Sequence, residues 1–280
     1  MKEVTKHRLQ AALRGAFWRV RDTLARPTAP LRSFPDYLIV GGQRCGTTSL
    51  QELIASHPQV KPPFLRKGIH YFDTGMHRDP TWYRSVFPYR RRARITGEAS
   101  PYYLFHPFVP ERISALIPDV RIIALLRDPV ERAISHYKHE VRRGFEDLEM
   151  MAAFEKEEER LRGEVERMAS DPTYVSFTHQ HHSYQARGDY VEQLDRYMEH
   201  FHPSQVLVLE AERFWTDPEP VLKSVFDFLS LDAWTPPEVP HLNATKPASV
   251  PESVRRYLED RFREGNARLL EKYGIGAEWS

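Results

Sequence analysis

The sequence predicts an α/β fold in three layers, a central parallel sheet flanked by helices. Three observations carry the prediction. Continuous apolar runs recur at Tyr37 to Val40 and Ile122 to Leu126, as expected of strands covered on both faces, and Gln205 to Glu210 (QVLVLE) reads as another parallel strand. Helical patterns follow these runs, and such alternation builds a doubly wound parallel sheet. At 280 residues the chain suits one large domain, or one domain with an insertion.

Residues 1–33 come first, as a basic amphipathic extension. Leu9, Leu13, Phe17, Val20 and Leu24 recur at helical spacing, with Lys6, Arg8, Arg14, Arg19, Arg21 and Arg26 around them. Such a helix suits an anionic membrane surface, and equally packing on its own domain or a partner. Pro27, Pro30 and Pro35 then predict a linker into the first strand. Asp36 to Leu50 reads DYLIVGGQRCGTTSL: a buried strand, a tight loop and the first turn of a helix. Backbone N–H groups and the positive end of the helix dipole converge there, which makes a phosphate cradle. Gly41 and Gly46 have the spacing of a nucleoside-triphosphatase P-loop, but Thr47 stands where that pattern needs lysine. The fold is thus P-loop-like without the residue that bridges β- and γ-phosphates, and the nearby cation is Arg44, inside the loop. An ordinary strand-to-helix turn is the alternative.

From Pro62 the chain passes Lys67 and His70 into Tyr71-Phe72, read as a short strand-like piece, and a short helix from Asp79 ends near Pro88. Arg90, Arg91, Arg92 and Arg94 form a basic cluster that fits an anionic acceptor or a solvated turn. Gly97 to Tyr103 follows a brief strand. Arg121 to Tyr137 reads RIIALLRDPVERAISHY: a strand that delivers Arg127 to its C-terminal edge, where open α/β sheets bind ligands, then a helix with Pro129 in its first turn. The planar fork of Arg127 suits phosphate oxygens, and a surface pair with Asp128 is the alternative. Residues 146–188 read as a helical insertion, with Glu155 to Arg162 as a charged, solvated helix. His179, His181 and His182 lack matching ligand spacing, so no metal is expected. Pro218 to Leu229 and Pro251 to Leu270 complete the chain as amphipathic helices.

GGQRCGTTSL and LLRDPVERAISHY resemble the phosphosulfate-binding loop and the 3′-phosphate-binding strand–helix of sulfotransferases that use 3′-phosphoadenosine 5′-phosphosulfate (PAPS). The heparan-sulfate-type carbohydrate enzymes and their bacterial relatives are the branch most alike. KGIHYF, GEASPYY and RGDY follow in the family's order, and the likeness runs from Phe34 to about Gly274. It implies that Arg44 contacts the 5′-phosphosulfate. Cys45, Gly46, Thr47, Thr48 and Ser49 would wrap the 5′-phosphate, Arg127 and Ser135 would hold the 3′-phosphate, and Lys246 would close over the nucleotide. PAPS is then the donor and 3′,5′-ADP (PAP) the product, with no metal. Lys67, His70, Glu98, Ser100 and Tyr102 fall on the acceptor side. Relatives carry a glutamate base where this chain has Gly68. His70 is the first replacement, since an imidazole titrates near neutral pH, and Glu98 the second.

The expected function is sulfuryl transfer from PAPS to a hydroxyl or amine of a carbohydrate, glycolipid or small-molecule acceptor. Positioning and electrostatics should carry most of the rate. A net charge of +1 argues against a nucleic-acid partner. Cys45 is the only cysteine, which precludes an internal disulfide and favours a reducing compartment. No run approaches the roughly 18 apolar residues of a span, and no signal-peptide core is visible. A bacterial, cytoplasmic enzyme is expected, peripheral to a membrane at most through residues 1–33. The alternatives are a P-loop phosphotransferase using ATP and a PAP-binding module without catalysis.

Overall fold

The computed structural model describes residues 24–64, 68–90, 94–236 and 250–279. In chain order the strands are β1 (Tyr37–Gly41), β2 (Gly97–Ala99), β3 (Arg121–Leu126) and β4 (Val206–Glu210). The helices used below are α1 (Thr47–Ser56), α2 (Pro80–Ser85), α3 (Val109–Leu116), α4 (Pro129–Arg143), α5 (Met150–Glu155), α6 (Glu157–Leu161), α7 (Glu164–Ser170), α8 (Phe177–His181), α9 (Tyr190–His200), α10 (Ala211–Thr216), α11 (Pro218–Leu229) and α12 (Glu252–Tyr273).

All strand pairs are parallel, in the order β2-β1-β3-β4. The two central strands explain the continuous apolar runs, because side chains alternate between two buried faces. Leu38, Val40, Ile122, Ala124 and Leu126 enter one core, with Ile113 of α3 and Tyr190, Leu194 and Tyr197 of α9. Tyr37, Ile39, Ile123 and Leu125 enter the other, with Leu50, Leu53 and Ile54 of α1 and Val221, Val225 and Phe226 of α11. A third cluster joins α4 to Phe154 and to Val254, Leu258 and Phe262 of α12. The result is a three-layer α/β fold whose central strands end side by side at one edge. Among the described residues, no helix is long and apolar enough to cross a membrane.

α4 begins where the sequence places it. Asp128 accepts from the N–H groups of Val130 and Glu131, and Gly144 ends the helix at φ 71°.

Four expectations are corrected. Tyr71-Phe72 is a turn and not strand-like. Its rings fill the core over the sheet, Tyr71 stacking on Tyr83 at 4.5 Å, and its amides bond to a side chain instead of a strand. The proline-rich linker is docked: Arg26–Leu31 forms a 3-10 turn, Arg84 donates to Arg32 O, and Arg32 donates to Phe87 O. The charged stretch from Glu155 is broken at Lys156, between α5 and α6. Glu157 is buried there, because it accepts from the N–H groups of Gln185 and Ala186. Finally, α12 runs past Leu270 to Tyr273 and stops at Gly274, whose φ is 66°. The amphipathic pattern of residues 1–23 lies outside the described residues.

Candidate active site

The loop after β1 is built by three local constraints. Gly42 N–H bonds to Leu125 O at 2.7 Å, which ties the loop to β3. Arg44 adopts φ 72°, and Gly46, the N-cap of α1, adopts φ 89°. A Cβ on Gly46 would also lie 2.9 Å from Trp215 Nε1, so both backbone conformation and space require glycine there. Glycine offers no side-chain cap, so the first-turn N–H groups of α1 face a cavity of about 310 Å³. Arg44, Gly46, Thr47, Thr48, Ser49 and Arg127, all expected from the sequence, line it, and Gln43, Pro101, His139 and Trp215 complete it.

The electrostatics of this cavity favour an anion. Burial lowers the Arg44 guanidinium pKa from its ordinary value, and the neighbouring Arg142 and Arg127 lower it further. Arg44 Nε donates to Ser135 Oγ at 3.1 Å, which brings Ser135 of α4 to the loop although Ser135 does not itself line the cavity. Arg127 is nearly buried, donates to Arg44 O at 3.4 Å and packs 5.0 Å from the centre of the Trp215 ring. A carboxylate oxygen of Glu131 lies 3.8 Å from Arg127 Nη2. Arg127 Nε is buried with no hydrogen-bond partner among the described residues. An orphaned guanidinium donor, a helix N-terminus and a glycine cradle fit a ligand with phosphates at two ends.

Cys45 departs from its neighbours. Its thiol is fully buried in the core that includes β1 and α1, and its N–H is spent on Gly42 O at 3.2 Å. Burial pushes the thiol pKa up to about 12, so it is neither a phosphate ligand nor a nucleophile. It seats the loop.

The residues expected on the acceptor side begin where β2 ends. Ser100 N–H bonds to Ile39 O, so Ser100 and Pro101 emerge beside the end of β1. His70 N–H donates to Ser100 Oγ at 3.1 Å, and its Nδ1 lies 2.7 Å from Asp73 Oδ2. Asp73 is fully buried while 35% of the His70 side chain stays exposed, so the dyad is anchored on one side and open on the other. Burial disfavours the imidazolium, but the charge and hydrogen bond of Asp73 outweigh it, and the His70 pKa lies above its ordinary value. A Cβ on Gly68 would lie 2.9 Å from His70 Nε2. The imidazole therefore occupies the space that a side chain at position 68 would need.

Glu98, Ser100 and Tyr102 do not face an acceptor. Glu98 is fully buried and accepts from Ile69 N–H, Ser100 Oγ, Tyr83 OH and Tyr103 OH. With both oxygens saturated it is no base. Ser100 is consumed between Glu98 and His70. The Tyr102 hydroxyl lies 2.6 Å from His179 Nδ1. Lys67 and Lys246 lie outside the described residues.

Sequence reasoning missed Asp73, three residues after His70, and Trp215, which an aromatic on a helix does not distinguish from core. Arg187 is the third: fully buried, it donates to Gln43 Oε1 at 2.6 Å and to Ser183 Oγ at 2.7 Å, and stacks 4.8 Å from the centre of the Tyr102 ring. Burial lowers its pKa to about 10. His181 faces Glu140 and His182 faces Phe145 O. Among the described residues, no group of three or more His, Cys, Asp or Glu could hold a metal ion.

A glycine loop and helix start after β1, with a second cation at the end of β3, make a site suited to a phosphate-bearing ligand. The sulfotransferase domain family matches residues 34–258, and the chain belongs to that family, which takes its sulfuryl group from PAPS and yields PAP. It is 28% identical over 274 residues to heparan sulfate glucosamine 3-O-sulfotransferase 6 of Homo sapiens, across 89% of this chain and 74% of the relative. To heparan sulfate glucosamine 3-O-sulfotransferase 3B1 of Mus musculus it is 30% identical over 205 residues, covering 71% of this chain and 47% of the relative. The chain therefore spans about half the length of that second relative. The sulfotransferase from Alicyclobacillus acidocaldarius superposes with a TM-score of 0.70 at 32% identity, covering 85% of this chain and 95% of that one.

Proposed function

We propose that this chain transfers the sulfuryl group of PAPS, in line, to a hydroxyl or amine of a carbohydrate, glycolipid or other small acceptor, with His70 as general base. The observation that carries the reading is the His70–Asp73 dyad, set through Ser100 at the sheet edge beside the nucleotide cavity. Asp73 holds the proton on Nδ1, which leaves Nε2 as the acceptor. His70 Nε2 takes the acceptor's proton as its oxygen or nitrogen bonds to sulfur and the bond from sulfur to the phosphate oxygen breaks. Arg44 and the first turn of α1 meet the charge left on that phosphate. The names of the relatives in the heparan sulfate branch support a glycan acceptor; the reading extends to glycolipids and smaller hydroxylated molecules.

Residues 146–188 line the acceptor cleft in this proposal. Its support is Arg187, near the segment's end, which ties Gln180 O and His179 O to Gln43, a residue that lines the cavity. A bacterial, cytoplasmic setting, with membrane contact only through residues 1–33, belongs to the proposal as well; fractionation of the full chain against one lacking residues 1–23 tests it. Labelled PAPS with a panel of glycans, glycolipids and small alcohols tests the activity. PAP binding without transfer to any acceptor would favour the non-catalytic reading.

Trp215 offers its ring to the cavity beside Gly46 and Arg127. Stacking on a base is worth about 1–3 kcal/mol. Trp215→Ala is expected to weaken PAP about tenfold in calorimetry, while Trp215→Phe retains most of the affinity. Equal affinity in all three proteins would remove Trp215 from the site.

A further inference from the structure

We propose that Glu98 is a positioning residue that holds His70 in its working orientation through Ser100 and Tyr103. This rests on the reading of His70 as the base. The observation is a run of four consecutive backbone amides that all donate to side chains of one buried network. Ile69 N–H bonds to Glu98 Oε2 at 2.9 Å and His70 N–H to Ser100 Oγ at 3.1 Å. Tyr71 N–H and Phe72 N–H both bond to Tyr103 OH, at 2.7 and 3.2 Å.

A hydroxyl that accepts from an amide must place its own proton elsewhere. Both hydroxyls place it on Glu98: Ser100 Oγ on Oε2 at 2.7 Å, and Tyr103 OH on Oε1 at 3.1 Å. Tyr83 OH adds a further donor to Oε1 at 3.0 Å. All the neighbours of Glu98 in this network donate, so its ionised form is the one that fits. Burial raises the Glu98 pKa from its ordinary value, and the Ser100 and Ile69 donors oppose that rise. A fully apolar loop would have no use for so many donors and acceptors.

The network has something to hold. His70 adopts φ 54°, a left-handed conformation that is uncommon for a side-chain-bearing residue and persists where the surroundings over-determine it. Glu98 is the central residue of β2 and pairs in register with Leu38 of β1. The line of support therefore runs from the rigid sheet, through one carboxylate and two hydroxyls, to the backbone of the base. Support of this kind sets the precision of a catalytic side chain.

The test is Glu98→Gln, compared with His70→Ala and with the double variant. Whichever oxygen becomes the amide nitrogen, two donors lose their acceptor. We expect kcat to fall at least tenfold while PAP affinity, read by calorimetry, stays within about twofold. The acid limb of the kcat–pH profile should move to lower pH, because the Glu98 charge raises the His70 pKa. In the His70→Ala background, Glu98→Gln should cost no further turnover. Ser100→Ala, which removes the acceptor of His70 N–H and one donor to Glu98, serves if Glu98→Gln does not fold, with the same loss of kcat at unchanged PAP affinity. Undiminished kcat in the folded variants, or an equal further loss without His70, overturns the proposal. If His70→Ala itself turns over normally, the base reading falls first and takes the proposal with it. A loss confined to Glu98→Gln would then show a role unrelated to His70.

Discussion

Replacing His70 with alanine lowers turnover at least a hundredfold and leaves PAP affinity within about twofold. General-base catalysis contributes about 10²–10⁴-fold. Glu98 is saturated by donors, and position 68, where the family resemblance implies a glutamate base, is glycine. His70 does not line the cavity formed by the loop after β1 and Arg127, so PAP binding is expected to survive the change. The pH profile gives a sharper check. The base must be neutral, and Asp73 raises the His70 pKa above its ordinary value. The active form is therefore lost at a higher pH than for an unassisted histidine as the solution is acidified. In Asp73→Asn the raising charge is gone, so the acid limb of kcat moves to lower pH. The plateau falls as well, because the tautomer is no longer held. Near-normal turnover in His70→Ala would remove His70 from the role, and an unmoved acid limb in Asp73→Asn would break the dyad.

The parts of this site that were legible in the sequence are those fixed by short-range chemistry. Tyr37 to Val40 and Ile122 to Leu126 read as buried strands because both faces are covered, and continuous apolar sequence has few other uses. Arg44, Gly46, Thr47 and Arg127 were legible because loop, helix start and strand end are contiguous with them. What failed was orientation. Cys45 lies among cavity-lining neighbours, yet the tight turn spends its N–H on Gly42 O and sends its thiol into the core. Glu98 and His70 look alike as polar candidates near a cleft. Only the fold shows that one is enclosed by four donors and the other is left partly exposed. Asp73 carried a signal, three residues from His70 and next to an aromatic pair. Trp215 carried none, and RGDY marked Arg187 as part of a motif without showing its role, since their partners lie far along the chain, at Gly46 and Gln43. Tertiary contact decided those roles, and local pattern does not encode it.

Arg127→Ala is expected to abolish the preference for PAP over ADP. Arg127 sits at the C-terminal edge of β3, lines the cavity and keeps a buried Nε donor without a partner among the described residues. A charge-assisted bond to phosphate contributes about 2 kcal/mol, which is about thirtyfold in Kd. ADP lacks the 3′-phosphate, so the substitution should change ADP binding far less. Thermal shift reads this directly: PAP at about 100 times its Kd adds about 2.7 kcal/mol to the wild type, and most of that gain should vanish in the variant at the same concentration. The melting midpoint without ligand controls for folding, because Arg127 also donates to Arg44 O and packs against Trp215. A loss shared equally by PAP and ADP would place Arg127 in the support of the loop instead of on the 3′-phosphate. Stabilisation by ATP with Mg²⁺ and none by PAP would contradict the donor itself. That outcome needs a phosphate-bridging lysine, and the chain has Thr47 at that position.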